Sequence, residues 1–225
     1  MLAGTLYIVA TPIGNLGDIP HRAAEVLGAV DLIAAEDTRR TGLLLKHLKV
    51  NTPMVSFHDP VERKKTPQLI EKLQAGQSVA LVSDAGTPGI SDPGGYLIPQ
   101  AIAAGIAVTV VPGPTAVMAA LVLSGFPMDR FVFDGYLPVK AGKLRKRLEV
   151  LRLEERTVVC YETPHRLLKS LQAIEETLGD IPMAACRELT KKFEEVRREK
   201  VSELITHFKS HPPKGEFVLV FRTPQ

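Results

Sequence analysis

The stretch Val79-Ala-Leu-Val-Ser-Asp-Ala-Gly-Thr-Pro-Gly-Ile-Ser-Asp-Pro-Gly94 joins a short apolar run to a loop rich in glycine, proline and aspartate. The apolar run, Val79 to Val82, is typical of a buried strand. In an α/β sheet, the loop that leaves the carboxyl end of a strand is the usual ligand site. Glycines let backbone N–H groups approach a ligand, prolines limit the entropy lost on binding, and Asp84 and Asp92 add acceptors. An ordinary strand-to-helix turn is the alternative, but this composition favours a binding loop.

The overall composition is that of a soluble globular protein. The chain has 225 residues, which is enough for one large domain or two small ones. Of these residues, 45% are hydrophobic and 24% are charged. No run approaches the roughly twenty apolar residues of a membrane span, and the first ten residues lack the basic flank of a signal peptide. Cys160 and Cys186 have no metal-ligand spacing, so we expect a reduced, cytoplasmic setting without membrane association.

Strand and helix patterns alternate along the first half of the chain. The predicted strands are Leu6–Ala10, Asp31–Ala35, Met54–Phe57, Val79–Val82 and Ile106–Val111, the last of them buried. Predicted helices lie between them, one capped by Asp18, one spanning Thr66 to Ala75, and a last one that closes this half at Leu123. This alternation predicts a mostly parallel α/β sheet with helices on both faces.

The character of the sequence changes after residues 125–129, which resemble a hinge. Further strands are predicted at Phe131–Phe133, Thr157–Tyr161, Met183–Cys186 and Phe217–Phe221. Charged residues are also denser in this half. We therefore divide the chain near residue 120, into domains 1–120 and 121–225.

Several common catalytic signatures are absent from the sequence. It contains no G-x-G-x-x-G after the first strand, no P-loop, no G-x-S-x-G, no H-E-x-x-H and no C-x-x-C. Nicotinamide, P-loop nucleotide and metal sites therefore lose their main support. Three strand-end loops remain, at residues 11–18, 83–94 and 112–116. Together they suit a ligand with a nucleoside and a flexible polar tail, held through backbone contacts.

Five motifs also carry a resemblance to a known family. In chain order they are Ala10-Thr-Pro-Ile-Gly-Asn-Leu16, Ala35-Glu-Asp-Thr-Arg39, Ser83-Asp-Ala-Gly-Thr-Pro-Gly89 with Ser91-Asp-Pro-Gly94, Pro112-Gly-Pro-Thr-Ala116 and Tyr161-Glu-Thr-Pro-His-Arg166. Together they resemble the tetrapyrrole-methylase superfamily. Within it, they are most similar to the ribosomal RNA branch of small-subunit 2′-O-ribose methyltransferases. The resemblance covers essentially the whole chain.

This resemblance implies a fold, a cofactor and partners. The fold would be a two-domain α/β fold, with a mostly parallel N-terminal sheet, a mixed C-terminal sheet and the cofactor in the interdomain cleft. S-adenosylmethionine would be the methyl donor, and the enzyme would be a homodimer. The substrate would be the ribose of a cytidine in the decoding region of small-subunit (16S) rRNA, with the assembled small subunit as its expected form.

The resemblance also implies which residues contact the cofactor. Carried over residue by residue, they are Pro12, Ser83, Asp84, Thr87, Thr115, Ala116 and Tyr161. Asp84 would occupy the position of the aspartate in the Gly-Asp-Pro motif of tetrapyrrole-modifying members. Here the loop reads Ser-Asp-Ala, so Ala85 stands in place of the family proline, which weakens the case for a tetrapyrrole substrate.

Methylation of a ribose 2′-oxygen needs a general base or strong orientation, because the hydroxyl is a weak acid. Glu36 and Asp37, at a strand end, are the first candidates for the base, and Glu162 is the next. Glu36 and Asp37 could instead cap a helix and pair with the neighbouring arginines. Glu162 could equally orient the cofactor ribose, and His165 is a further candidate. No single base is assigned.

Two basic runs in the second half, within residues 140–147 and 191–200, bear on the substrate. The residues expected to face RNA are Arg145, Lys146, Arg147, Arg166, Lys191 and Lys192. Surface lysine runs are often only solvated faces. Two such runs in one half of a chain with a net charge of only +3 nevertheless favour an RNA-facing surface. Since only 5% of residues are aromatic, phosphate contact and shape recognition fit better than extensive base stacking.

Two other functions stay open at this point. One is a methylase of a tetrapyrrole or another small metabolite, and the other is a nucleotide-binding module without catalysis. The basic runs speak against the first, and the full set of cofactor loops speaks against the second. Steeply salt-dependent affinity for RNA would separate an rRNA methyltransferase from both.

Overall fold

A computed structural model describes residues 4–223 of the chain. The chain forms two compact units, Met1–Thr115 and Ala116–Gln225, and each has its own five-stranded sheet. The helix that contains residue 120 belongs to the second unit.

The first unit is built on a parallel sheet. Its strands are β1 Thr5–Val9, β2 Leu32–Ala35, β3 Met54–Ser56, β4 Val79–Val82 and β5 Ala107–Val111. They lie in the order β3-β2-β4-β1-β5, and every pair is parallel. All five carboxyl ends therefore meet at one edge of the sheet, and β4 lies at its centre. The predicted parallel sheet is confirmed.

Helices cover both faces of this sheet. They are α1 His21–Ala29, α2 Thr38–Leu48, α3 Asp59–Gln74 and α4 Leu97–Ala103. Because successive strand side chains point to opposite faces, β1 buries Ile8 among residues of α3 and α4 and Val9 among residues of α1 and α2. The unit thus has two apolar cores, one on each side of the sheet.

Three predictions for the first unit are wrong in detail. Asp18 does not cap α1, because it ends a short 3₁₀ turn at Leu16–Asp18 and Pro20 takes the cap position. Helix α3 begins at Asp59 rather than Thr66, since Pro60 stands in its first turn, where a missing N–H costs little. Strand β5 is not buried, because it is the edge strand and Val110 is 51% exposed.

The second unit contains a mixed sheet, as predicted. Its strands are β6 Phe131–Tyr136, β7 Thr157–Glu162, β8 Pro182–Arg187, β9 Glu195–Lys200 and β10 Phe217–Phe221. The order is β6-β7-β10-β8-β9, with β6 and β7 parallel and the other pairs antiparallel. Strand β9 was not predicted, because its sequence Glu-Val-Arg-Arg-Glu-Lys has only one apolar residue. It forms a strand by pairing with β8 at the edge of the sheet.

Four helices complete the second unit. They are α5 Ala116–Ser124, α6 Ala141–Leu151, α7 Pro164–Leu178 and α8 Val201–Ser210. Leucines of α6, α7 and α8 form one core with β7, β8 and β10. Helix α5 was expected to close the first half, but its residues pack against β8 and β10 of the second sheet.

The two cysteines lie in adjacent parts of the second sheet. Cys160 is in β7 and Cys186 in β8, and both are buried free thiols. Burial raises the pKa of both thiols above the usual range, that of Cys186 to about 11. Both are therefore poorly reactive in the folded chain. Among the helices of residues 4–223, none is long and apolar enough to cross a membrane.

Candidate active site at the carboxyl edge of the first sheet

The first two glycine-rich loops are joined by backbone hydrogen bonds. Thr11 N donates to Gly86 O at 2.9 Å, and Gly86 N donates to Thr11 O at 3.0 Å. The Thr11 hydroxyl also donates to Ser83 O at 3.1 Å. Gly86 has φ = +78°, a conformation that other residues rarely adopt, so the pairing depends on this glycine. The loops after β1 and β4 thus form one surface.

At the same edge, two carboxylates that follow neighbouring strands each accept a backbone hydrogen bond from the other loop. Asp84 N donates to Glu36 Oε2 at 3.0 Å, and Asp37 N donates to Asp84 Oδ1 at 3.1 Å. Arg40 Nη1 lies 3.5 Å from Asp84 Oδ2, but the Arg40 side chain is largely exposed. The loop after β2 and the loop after β4 therefore hold each other through acidic side chains.

A third carboxylate, Asp92, adds negative charge to this group, which we call the acidic cluster of Glu36, Asp84 and Asp92. Burial is the main cause that raises the pKa of each of the three, and repulsion from neighbouring carboxylates, Asp37 and Asp59 among them, adds to it. The pKa of Asp92 reaches about 7. Arg40 offsets only part of this negative charge, so a ligand that supplies positive charge or further hydrogen-bond donors would bind favourably.

Asp92 should make the stability of the chain depend on pH. Its proton is held more tightly in the folded chain than in the unfolded one, where its ordinary pKa is 3.8. The corresponding stabilisation is fully present below a pH of about 4 and is lost as the pH rises through about 7. We expect the Asp92→Asn variant to lack this loss. Urea unfolding of both proteins at pH 5 and pH 8 measures the difference, and an equal pH dependence would contradict the assignment.

The far end of the loop after β4 is held by Glu62 of α3, which is only 8% exposed. Its Oε1 accepts three backbone N–H donors, at 2.9, 3.0 and 3.1 Å, from Gly94, Tyr96 and Leu97. The loop also closes on itself, since Gly89 N donates to Pro93 O at 3.0 Å. Sequence reasoning missed Glu62, because the helix was predicted to start at Thr66, which left Glu62 outside it.

Asp37 adopts the capping role that the sequence left open. Its side chain accepts from Arg39 N at 2.8 Å at the start of α2, and Arg39 Nη2 lies 2.7 Å from Asp37 Oδ2. These bonds hold the pKa of Asp37 well below its usual range. A carboxylate held in this way is a weak base, so Glu36 is the stronger candidate of the pair.

The predicted cofactor residues belong to both units. Pro12, Ser83, Asp84 and Thr87 stand in the joined loops of the first unit, and Thr115 follows β5 at the same edge. Ala116 begins α5 of the second unit, and Tyr161 lies in β7 of that unit. The Tyr161 ring packs edge-on against Phe133, with centroids 5.0 Å apart. Their contact with a cofactor stays a prediction.

Glu162, the third candidate base, is fully committed to internal contacts in the second unit. It accepts from Thr163 N at 2.7 Å and from the Ser170 hydroxyl at 2.5 Å, and Arg166 Nε lies 3.4 Å away. Its side chain has no exposed surface. Arg166 also donates to Leu137 O. Both side chains thus stabilise the start of α7.

The structure separates the predicted RNA-binding residues into two groups. Arg147 is paired with Asp134, and Lys191 Nζ lies 2.9 Å from Glu188 and 2.8 Å from Glu216. The others, Arg145, Lys146 and Lys192, are exposed. Arg145 Nε lies 3.3 Å from Glu149 Oε1 in an exposed pair, whereas Lys146 and Lys192 have no carboxylate partner among the described residues. Arg147, Lys191 and Arg166 make contacts that stabilise the fold. Their contact with RNA stays a prediction.

Within residues 4–223, no three His, Cys, Asp or Glu side chains are arranged to hold a metal ion.

A family model described as Tetrapyrrole (Corrin/Porphyrin) Methylases matches residues 5–205. The chain belongs to the tetrapyrrole methylase family. The family resemblance read from the five sequence motifs is therefore confirmed.

Curated relatives narrow the place of the chain among tetrapyrrole methylases. A protein of Synechocystis sp. named Ribosomal RNA small subunit methyltransferase I is 52% identical over 96% of this chain and 78% of the relative. A protein of Thermotoga maritima with the same name is 47% identical over 96% of this chain and 97% of the relative. These identities place the chain in the ribosomal RNA branch of the family.

Solved structures show the same tetrapyrrole methylase fold. Diphthine synthase superposes with a TM-score of 0.75 at 14% identity, covering 97% of this chain and 89% of the other. Uroporphyrin-III-C-methyltransferase from Thermus thermophilus superposes with a TM-score of 0.68 at 22% identity, covering 98% of this chain and 95% of the other. At such identities the likeness concerns the fold alone.

This methylase uses S-adenosylmethionine as its methyl donor. That molecule carries a sulfonium cation, an ammonium group and two ribose hydroxyls. The acidic cluster offers acceptor oxygens and negative charge that Arg40 offsets only in part, which match these groups. The residues at the carboxyl edge therefore fit the cofactor.

Proposed function

We propose that this chain methylates the ribose 2′-oxygen of a cytidine in the decoding region of small-subunit rRNA. The observation that carries the proposal is the 52% identity, over 96% of the chain, to a relative named Ribosomal RNA small subunit methyltransferase I. The five motifs support the finer statement, since they resemble those of 2′-O-ribose methyltransferases. The acidic cluster and the joined loops supply a site of matching chemistry in the first unit.

In the proposed reaction, bound S-adenosylmethionine supplies an electrophilic methyl group. The ribose 2′-oxygen would take this methyl group from the sulfur, and the hydroxyl proton would move to a carboxylate of the chain. We assign that role to Glu36, because its raised pKa makes it a better proton acceptor than an ordinary glutamate. Asp84 N, which donates to Glu36 Oε2 at 3.0 Å, fixes its orientation.

The proposal extends to the setting of the reaction. We propose that the enzyme acts in the cytoplasm as a homodimer, on the assembled small subunit rather than on free rRNA. Arg145, Lys146 and Lys192 would contact RNA phosphates, since their charges are exposed.

Transfer of labelled methyl from S-adenosylmethionine to small subunits that lack the modification tests this function. We expect label on a ribose 2′-oxygen after nuclease digestion. Equal transfer to free rRNA would refute the requirement for an assembled subunit. Cofactor binding without transfer to either RNA would contradict the proposal, and transfer to a tetrapyrrole would then identify a small-molecule methylase.

A further inference from the structure

A loop of the second unit presents an aromatic ring to solvent. Phe193 is 65% exposed and lies in residues 188–194, between β8 and β9, which we call the Phe193 loop. Lys192 Nζ lies 5.7 Å from the centroid of the Phe193 ring. One exposed apolar side chain is ordinary by itself. The construction of the loop around this ring, however, points to a ligand.

The backbone of the Phe193 loop is strained and firmly held. Glu188 and Thr190 have φ values of +49° and +66°, although neither is glycine. Such conformations are unfavourable for residues other than glycine and are concentrated at ligand clamps and switch regions. In addition, the Thr190 hydroxyl oxygen is buried without a hydrogen-bond partner in the part of the chain that the structure describes. The loop thus keeps a conformation that its own sequence does not favour.

Contacts with a neighbouring turn hold this conformation in place. Glu188 Oε1 accepts from Glu216 N and from Lys191 Nζ, both at 2.9 Å. Thr190 N donates to Glu194 Oε2 at 2.6 Å. A Cβ atom added to Gly215 would lie 2.3 Å from Glu188 Oε1, so the turn packs directly on this carboxylate. The ring of Phe193 is therefore presented from a rigid base.

A cavity of about 330 Å³ lies beside the ring. It is lined by Arg187, Glu188, Phe193, Lys214 and Gly215. This volume is at the lower end of the roughly 300–1,000 Å³ of small-molecule sites.

The charges around this cavity favour an anionic ligand. Lys191 pairs with both Glu188 and Glu216, and Arg187 pairs with Glu195. No carboxylate within residues 4–223 lies within ion-pair distance of Lys192 or Lys214. An aromatic wall, with Lys214 in the cavity lining and Lys192 beside the ring, matches a planar base that carries a phosphate.

We propose that the Phe193 loop stacks one unpaired nucleobase of the RNA substrate on the Phe193 ring, with Lys192 and Lys214 at the adjoining phosphate. The inference rests on the proposed function, because it assumes an RNA substrate. It adds a single stacked base to a surface that otherwise relies on phosphate contacts. Stacking of this kind tolerates any base, so it positions the strand rather than reading its sequence.

The test compares Phe193→Ala and Phe193→Leu with wild type in methyl transfer to small subunits. Leu153→Ala is the matched control, since Leu153 is an 83% exposed apolar residue of the same unit. We expect both Phe193 variants to raise the KM for subunits by about 5- to 150-fold, with kcat, cofactor Kd and thermal stability unchanged. The control should behave as wild type.

Phe193→Trp supplies a direct readout, because the chain contains no tryptophan. We expect this variant to retain a wild-type KM and its fluorescence to be quenched by a single-stranded RNA oligonucleotide. A wild-type KM in Phe193→Leu would overturn stacking, because leucine keeps the apolar contact but has no ring. A change of oligomeric state in Phe193→Ala would identify a protein contact instead. No transfer by wild type would overturn the proposed function itself, and the stacking proposal with it.

Discussion

The Glu62→Ala variant is expected to lose roughly 3–5 kcal/mol of folding free energy and to bind S-adenosylmethionine at least about tenfold more weakly. Glu62 is buried, and one of its oxygens accepts from the backbone N–H groups of Gly94, Tyr96 and Leu97. Removing the carboxylate leaves these donors without their partner, two of them in fully buried positions. It also frees the end of the loop that carries Asp92.

Urea unfolding and calorimetric titration with the cofactor measure the two effects of the Glu62 substitution. Glu71→Ala is the matched control, because Glu71 lies on the same helix but is exposed. Glu62→Gln keeps an acceptor oxygen at the same place, so it should recover part of the stability and part of the cofactor affinity. If Glu62→Ala were as stable as Glu71→Ala, the anchoring role would be wrong.

The Glu162→Ala variant is expected to destabilise the chain by roughly 3–5 kcal/mol, which is the usual cost of breaking a buried ion pair. The substitution leaves the Arg166 guanidinium, the Ser170 hydroxyl and Thr163 N without their shared acceptor. We therefore attribute to Glu162 a structural role at the start of α7 rather than the role of a base.

Two further variants separate the structural role of Glu162 from a catalytic one. Ser170→Ala removes a single hydrogen bond and should cost only about 1 kcal/mol. Glu162→Gln preserves the shape of the side chain while removing its basicity. Below its unfolding temperature, we expect this variant to keep a near-wild-type kcat for methyl transfer. A loss of kcat in a fully folded Glu162→Gln protein would restore Glu162 as the candidate base.

The fold was predictable wherever apolar periodicity marks an element. Central strands such as Val79–Val82 are continuous apolar runs and were found to the residue. Strand β9 escaped prediction because pairing with β8, rather than its own apolar content, makes it a strand. The start of α3 was misplaced because Pro67 reads as a helix start, although the helix tolerates it internally.

The candidate site was predictable only in its local part. The joined loops are visible in the sequence because glycine, proline and aspartate cluster there. The anchoring of Gly94 by Glu62 spans 32 residues, and no local pattern indicates it. Similarly, Arg147 reads as one of several basic residues until the fold brings Asp134 to it. Whether a charge is free for a ligand is decided by tertiary neighbours.

Because of their placement, the two buried thiols can be used to measure local opening of the second sheet. Both cysteines lie in strands that flank β10, and the first 115 residues contain none. An alkylating reagent can therefore modify the chain only when the second sheet separates. Its rate of reaction, followed with and without S-adenosylmethionine, would measure how far a ligand protects the second unit, while fluctuations confined to the first unit stay silent.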